Sequence, residues 1–187
     1  TVSGYRESVR VRGGVNGREL AAYDLPIGTA HSAMAATVNL DSLKWELMFP
    51  SVRSSVGGGQ LEGELTVRSG RTRGVDLSSH WKTRRVDFFR LTNQLGRSSS
   101  LARGEISGQL WLSGKSITRA SDLAGSYDFK LGQTRGAAVP GLLAAFQFLG
   151  PVSLVNQSFD VGEVKGIIGQ GAVVVDEFWL GSDAALV

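Results

Sequence analysis

The chain has 187 residues, of which 42% are hydrophobic, and it contains 25 glycines, 4 prolines and no cysteine. This length fits a single domain or a piece of a longer protein, and the many glycines favour strands joined by tight turns. A net charge of +3, from 20 basic and 17 acidic residues, is too balanced for a nucleic-acid-binding protein. Because cysteine is absent, a disulfide framework and a thiol site are excluded.

No targeting or membrane-spanning segment is recognisable. The chain does not open with a charged region followed by an apolar one, and no apolar run reaches bilayer length. We therefore expect any signal or anchor to lie outside this sequence. Both ends have the pattern of strands, so we expect residues 1–187 to be one β-rich region cut from a longer protein.

The first predicted strand covers residues 5–12, where valine alternates with arginine. A period of two is typical of an edge strand or a half-buried strand. Glycine-containing pairs at 13–14 and 16–17 predict turns directly after it.

A long β run follows at 38–49, with a change of parity at Asp41-Ser42. A change of face within a run is what a bulge or bend produces. The apolar residues before the change are Val38 and Leu40, and those after it are Leu43, Trp45, Leu47 and Phe49.

Residues 59–67 have the clearest alternation, and residues 104–112 repeat it in the frame G-x-[IL]-x-G-x-L-x-[VL]. The pairs Asp76-Leu77 and Asp122-Leu123 follow the two copies at similar distances. A frame that occurs only twice is also compatible with coincidence. If they are a repeat, they predict a stacked β array with units at about 59–100 and 104–135. Side chains two apart share a face, so one apolar side is expected to carry Leu61, Leu65, Ile106 and Leu110.

Between the copies, a strand is predicted to begin at Val75, and residues 86–91 are predicted to be its partner. Residues 98–100 are three serines and predict a loop. After the second copy, Gly114-Lys115 predicts a hairpin turn.

A short apolar helix is predicted at 139–150, followed by closing strands at 158–187. Pro140 suits a first helical position and Gly150-Pro151 form a stop. Gln147 is the only polar residue between them, so the helix is expected to be buried or to face something apolar. At about 15 Å it is half the length that a bilayer core needs.

The sequence offers little for catalysis. Residues 113–116 read Ser-Gly-Lys-Ser, but a phosphate loop needs glycine at the position of Gln109 and a helix afterwards. His31 and His80 have no metal-ligand spacing, and no serine lies in a G-x-S-x-G motif. We therefore predict a protein that is not an enzyme, with no cofactor and no metal.

Seven basic residues make the middle of the chain positive. The plain interpretation is a solvated face of a sheet, and the alternatives are acidic lipid headgroups or nucleic acid. Nucleic-acid binding is disfavoured because the aromatic residues Trp81 and Phe88 are expected on the other face. The seven residues are Arg68, Arg71, Arg73, Lys82, Arg84, Arg85 and Arg90.

Four segments in the last third of the chain together resemble the C-terminal region of the AsmA-like family of cell-envelope proteins, relatives of the translocation-and-assembly-module proteins. These segments are Asp122-Leu123-Ala124-Gly125, Val139-Pro140-Gly141-Leu142-Leu143, Phe159-Asp160-Val161 and residues 171–187. The strand and helix patterns predict a mainly β fold, a long, mostly antiparallel sheet with one short apolar helix, and the resemblance implies that this sheet is curved and taco-like, with a groove. It also implies a periplasmic protein, anchored to the inner membrane by a segment outside this chain and reaching toward the outer membrane.

The same resemblance implies that the groove holds phospholipid acyl chains, for lipid transfer or outer-membrane assembly. The alternative is a structural β-sandwich used as a scaffold, with its apolar face packed on itself and no ligand. In the helix, Leu142, Phe146 and Leu149 are expected to pack on the sheet, which leaves Leu143 and Phe148 for the lipid. The expected groove lining is Leu43, Trp45, Leu47, Leu61, Leu65, Val67, Ile106, Leu110, Leu112, Phe129, Leu131, Leu143 and Phe148.

Overall fold

The structure is a computed structural model in which the chain forms one open antiparallel sheet. It describes residues 2–5, 7–22, 25–70, 74–87, 89–90, 104–135 and 158–181. The predicted helix at 139–150 and the predicted loop at 98–100 therefore lie outside the described residues.

Ten strands run in chain order across the sheet, each antiparallel to the next. Their bounds are β1 (Val2–Tyr5), β2 (Ser8–Ala22), β3 (Leu25–Asn39), β4 (Trp45–Val56), β5 (Gly59–Ser69), β6 (Val75–Asp87), β7 (Glu105–Ile117), β8 (Ala124–Arg135), β9 (Ser158–Gly169) and β10 (Ala172–Gly181). The mainly β, antiparallel fold predicted from the sequence is confirmed, whereas the curvature of the sheet stays a prediction.

A tight turn replaces the bulge predicted within 38–49. β3 ends at Asn39 and β4 begins at Trp45, so the run is a hairpin. Asn39 Oδ1 accepts hydrogen bonds from the backbone N–H and the hydroxyl of Ser42, at 2.8 and 2.7 Å. Asparagine side chains that bond to the backbone in this way stabilise turns. The parity change therefore separates two strands.

Four further predicted connections lie inside strands. β2 continues through both of its glycine-containing pairs, because β3 pairs with it along this length. β6 is a single strand from Val75 to Asp87, with a register shift at Arg85, so residues 86 and 87 continue the strand that they were expected to pair with. Gly114-Lys115 lies within β7, where a register shift opposite Val75 and Leu77 marks a bulge.

A 3₁₀ turn at Ala120–Asp122 connects β7 to β8. Asp122 Oδ2 accepts hydrogen bonds from Thr118 N, Thr118 Oγ1 and Arg119 N, at 2.9, 3.1 and 3.0 Å. These bonds lower the pKa of Asp122, the backbone N–H of Thr118 contributing most. The carboxylate holds this connection in place.

One side of the sheet is mainly apolar and the other mainly polar, because side chains alternate along each strand and the pairing registers align the strands. The polar side also carries the exposed apolar side chains of Trp111, Ile167 and Trp179. Few apolar side chains are buried in this single layer. Among the described residues they are Ala30, Val56, Val86, Tyr127 and Leu131.

Candidate functional site

The most extensive feature of the sheet is its apolar side, which we call the apolar face. Every strand from β2 to β10 contributes to it. The pairing register places apolar residues opposite one another: Val67 of β5 lies opposite Leu47 of β4 and Leu77 of β6. Farther along, Leu110 of β7 lies opposite Trp81 of β6 and Tyr127 of β8. The apolar face is therefore continuous across the described strands.

Most side chains of the apolar face are only half-buried. In a sandwich, a second sheet about 10 Å away would bury this side completely. Exposure instead ranges from 2% for Leu131 in β8 to 67% for Val173 on the outer strand β10. No second layer covers the apolar face within the part of the chain that the structure describes. Large exposed apolar patches mark binding surfaces.

Aromatic rings lie against glycines on the apolar face. Gly63 is directly opposite Trp81, and Gly108 is directly opposite Phe129. A methyl group at Gly63 would lie 2.9 Å from Trp81 Cδ2, and one at Gly108 would lie 2.5 Å from Phe129 Cδ1. The second glycine of the repeated frame therefore leaves room for a ring in both copies. These rings lie over the backbone of the facing strand and do not project only outward from the sheet.

Tyr127 makes a similar contact and adds a hydrogen bond. Its ring lies over Gly166, the residue opposite it on β9, and its hydroxyl donates to Val174 O on β10 at 3.1 Å. Burial raises the pKa of Tyr127, and the negative charge of Asp176 adds to the effect. The side chain ties β8 to β10 across the strand between them.

Ten of the thirteen predicted groove residues lie on the apolar face. Of the other three, one lies in a turn and two lie outside the described residues. Leu43 lies in the turn between β3 and β4 with a φ of 53° and 74% exposure, so its predicted place in a strand is wrong, whereas its part in lining a groove stays a prediction. Leu143 and Phe148 lie outside the described residues. On the apolar face are Trp45, Leu47, Leu61, Leu65, Val67, Ile106, Leu110, Leu112, Phe129 and Leu131.

The predicted groove lining left out other members of this face, although the sequence had placed Phe49 in an apolar run and Trp81 on the side away from the basic residues. In β6 and β8 the alternation that identified their neighbours was present in the sequence and would have found them. In β9, glycines occupy alternate apolar-face positions and weaken the pattern. The missed residues are Phe49, Leu77, Trp81, Tyr127, Val164 and Ile168.

The polar side of the sheet carries ion pairs and two engaged histidines. Lys165 Nζ lies 3.1 Å from Glu163 and 3.6 Å from Glu177. The hydrogen bond between Lys165 and Glu163 raises the pKa of Lys165 and lowers that of Glu163. His80 stacks on Trp111 with ring centroids 4.9 Å apart, and His31 shares a hydrogen bond with an asparagine. Across the described ranges, no group of three or more histidine or acidic side chains forms a possible metal site.

One end of the strands holds a cavity of about 360 Å³, which we call the basic cavity. It lies between the β3–β4 turn, the end of β5, the start of β6 and the bulge of β7. Its charged members are Lys44, Arg68, Lys115 and Asp76, and the others are Ser69, Gly70 and Ser116. Sequence reasoning had singled out only Arg68 as part of a basic region.

The opposite end of the strands holds a second cavity of about 470 Å³, the arginine cavity. Arg85 pairs with Glu105 at 3.3 Å, and Arg90 pairs with Asp87 at 3.8 Å. Arg84 also lines this cavity, whereas Lys82 lies on the polar side of the sheet opposite Glu62. The described basic residues of the middle of the chain are therefore divided between the two cavities, at opposite ends of the strands, and the polar side of the sheet. Arg71 and Arg73 lie outside the described residues.

No family model, no curated protein and no solved structure matches this chain. Within the ranges described, the structure contains no helix of the length and apolar character that crossing a bilayer requires.

Proposed function

We propose that the apolar face binds the acyl chains of lipids, and that the protein handles phospholipid without catalysing a reaction on it. The observation that carries this proposal is a continuous, half-exposed apolar face contributed by nine consecutive strands. A bound acyl chain gains about 0.8 kcal/mol for each methylene group that it buries. An extended chain in contact with several strands therefore binds without any polar contact.

The rings on the apolar face support the same ligand class. Because Trp81, Phe129 and Tyr127 lie over glycines, they present flat faces beside aliphatic side chains such as Leu65 and Leu110. Such a surface suits a flexible hydrocarbon, which adapts to shallow relief. The polar groups that this face carries include the uncharged hydroxyls of Ser79 and Thr83, which lie opposite Leu65 and Leu61.

The cell-envelope setting rests on the sequence resemblance alone. It extends the proposal to phospholipid transfer or outer-membrane assembly in the periplasm. The competing function is a scaffold whose apolar face is covered by protein, and the two are distinguished by what occupies that face.

The direct experiment is to purify the chain from cells under mild conditions and to identify extracted lipid by mass spectrometry. Binding of a fluorescent fatty acid is then compared between Leu65→Asp and Leu110→Asp on the apolar face and Thr66→Asp and Gln109→Asp on the polar side of the same strands. We expect at least tenfold weaker binding for the first pair, because a charge in an apolar contact costs several kcal/mol. The second pair is expected to stay within about twofold of the parent.

Melting temperatures of all four variants accompany the binding measurement, since unfolding would mimic loss of binding. The gentler Leu65→Ser and Leu110→Ser variants serve if the aspartates unfold the chain. Equal binding by folded variants of both faces, or no binding by the parent, would contradict the proposal and favour the scaffold.

A further inference from the structure

We propose that the basic cavity binds a phosphate group, with Lys44 and Lys115 as its principal ligands and Arg68 beside them. The shared chemistry is that of a phosphate ester, either a lipid headgroup or a soluble molecule. The lipid source rests on the function proposed above, whereas the phosphate site stands on the cavity itself.

The first observation is an excess of positive charge that the surrounding residues do not neutralise. Lys44, Arg68 and Lys115 line the cavity together with a single carboxylate, that of Asp76. No described acidic side chain lies within ion-pair distance of either lysine ammonium group. Two ammonium groups facing one cavity repel each other, and an anion between them relieves this repulsion.

The second observation is that Asp76 is already engaged. Its Oδ1 accepts the backbone N–H of Ser116 at 2.7 Å, and its Oδ2 accepts from Arg68 Nε at 3.4 Å. The side chain is only 15% exposed. The hydrogen bond from Ser116 lowers the pKa of Asp76, and Arg68 lowers it further, so the group is an ionised structural anchor. The charge of Lys115 also lowers this pKa, so Asp76 offsets part of the positive charge of the cavity, but it forms no described ion pair with either lysine.

The third observation is the backbone that presents Lys115. Ser116 has a φ of 51°, which a residue other than glycine rarely adopts, at the bulge where β7 shifts register against β6. Bulges of this kind redirect side chains and are common near binding sites. The bond from Ser116 N to Asp76 stabilises the bulge, so the cavity wall is preorganised in the absence of an anion.

The donors of the cavity match a phosphate group. Lysine ammonium groups and an arginine guanidinium are the side chains that bind phosphate oxygens most strongly. Ser69 Oγ accepts from Trp45 N at 3.2 Å, which leaves its proton to donate. A volume of about 360 Å³ corresponds to about a dozen water molecules, enough for a phosphate and the group esterified to it.

The position of the cavity connects it to the apolar face. Val67 precedes Arg68 on β5, and Leu77 follows Asp76 on β6. Val67 and Leu77 lie opposite each other on the apolar face. Because successive side chains point to opposite sides, Arg68 and Asp76 lie on the polar side at the ends of β5 and β6, and a lipid with its phosphate in the cavity has to pass round these strand ends for its acyl chains to reach the apolar face. The arginine cavity at the other end differs, because two of its three arginines are paired with carboxylates.

The test uses calorimetry with three probes: inorganic phosphate, glycerol 3-phosphate and a short-chain phosphatidic acid below its micelle concentration. The variants are Lys44→Gln and Lys115→Gln, neither of which removes a described ion pair. The matched controls are Lys82→Gln on the polar side and Arg84→Gln in the arginine cavity. We expect each cavity variant to weaken glycerol 3-phosphate binding about tenfold and each control to change it less than about twofold.

The probes distinguish the two sources. Tighter binding of phosphatidic acid than of glycerol 3-phosphate, with the gain abolished by Leu65→Asp, supports a lipid headgroup. Equal binding of the two, still dependent on Lys115, supports a soluble phosphate ester and contradicts a lipid headgroup as the source of the phosphate, while the site stands.

Two outcomes overturn the phosphate site. One is that none of the three probes binds the parent protein. The other is that the probes bind but the cavity variants and the controls weaken binding equally. If the fluorescent fatty acid still binds in either case, the proposed function survives without this site.

Discussion

The indole ring of Trp81 lies against the backbone of Gly63, the residue directly opposite it on the neighbouring strand. A side chain at Gly63 would meet both the ring and the carbonyl oxygen of His80, which would lie 2.5 Å from its Cβ. The pair explains why the repeated frame has a second glycine. The glycine gives the ring a place on the sheet and keeps the apolar face shallow.

Replacing Gly63 by alanine is therefore expected to destabilise the fold. The added methyl group has to displace Trp81 or shift β6, and overpacking of this kind costs about 1–3 kcal/mol. The melting temperature is expected to fall by several degrees, since about 2–4 °C corresponds to 1 kcal/mol at this chain length.

Gly13→Ala is the matched control for that substitution. Gly13 lies on the same side of the sheet in β2, and a methyl group there would meet nothing within 4 Å. Its stability is expected to stay within about 0.5 kcal/mol of the parent. Equal melting temperatures for the two variants would mean that Trp81 does not occupy the space over Gly63.

Tyr127→Phe removes the hydroxyl that donates to Val174 O. The loss of one largely buried hydrogen bond is expected to lower the free energy of unfolding by about 0.5–1.5 kcal/mol. Because the bond reaches across β9, hydrogen exchange is expected to accelerate mainly in β10. Unchanged exchange in β10, or a uniform change across the sheet, would argue against a tie between β8 and β10.

Asp122 is expected to contribute to stability in a way that depends on pH. Its pKa in the folded chain lies below the ordinary value of 3.8, so its contribution is full above that value and is lost as the pH falls through the lowered pKa. Denaturation at neutral pH and near pH 3 is expected to show Asp122→Asn approaching the parent as the pH falls. Asp41→Asn, which removes an exposed carboxylate in the β3–β4 turn, provides the comparison. An unchanged stability difference over this range would refute the anchor role of Asp122.

Replacing Leu43 by asparagine is expected to stabilise the fold. The left-handed conformation costs a residue with a bulky side chain about 1–2 kcal/mol, and asparagine adopts it more readily. Leu43→Asn is expected to raise the free energy of unfolding by about 0.5–1 kcal/mol. Leu40→Asn, in the same turn but without a positive φ, is expected to give no such gain. A loss of stability in Leu43→Asn would show that this leucine packs against the fold.

The faces of the strands were predictable from sequence where the alternation was regular. Leu61 and Leu65 in β5, and Ile106 and Leu110 in β7, share the apolar face as predicted, because a period of two is a local property of the chain. Whether they line a lipid groove is a separate question that the register leaves to experiment.

The connections between strands were harder to predict. Glycine-containing pairs are frequent in turns, so those at 13–14 and 16–17 predicted turns that the structure does not have. Their strand conformation depends on pairing with β3, a segment of small residues whose pattern is weak. Gly114-Lys115 likewise predicts a hairpin turn where β7 has a bulge, because the bulge depends on the hydrogen bond from Ser116 to Asp76 on another strand.

The basic cavity was not predictable, because its members come from four separate segments. Lys44 follows one turn, Arg68 ends β5, Asp76 begins β6, and Lys115 lies in the bulge of β7. Each residue alone has the pattern of a solvated surface side chain. Only the register of the sheet brings them together.

The central claim, that the apolar face holds acyl chains, is tested most directly by site-specific photocrosslinking. A benzophenone amino acid is introduced at Leu65, on the apolar face, or at Thr66, its neighbour on the polar side, and the chain is purified with its lipid and irradiated. The account predicts a phospholipid adduct from position 65 that is detectable by mass spectrometry, and little or none from position 66. Adducts of equal yield at both positions, or their absence at position 65 in a folded protein, would contradict it.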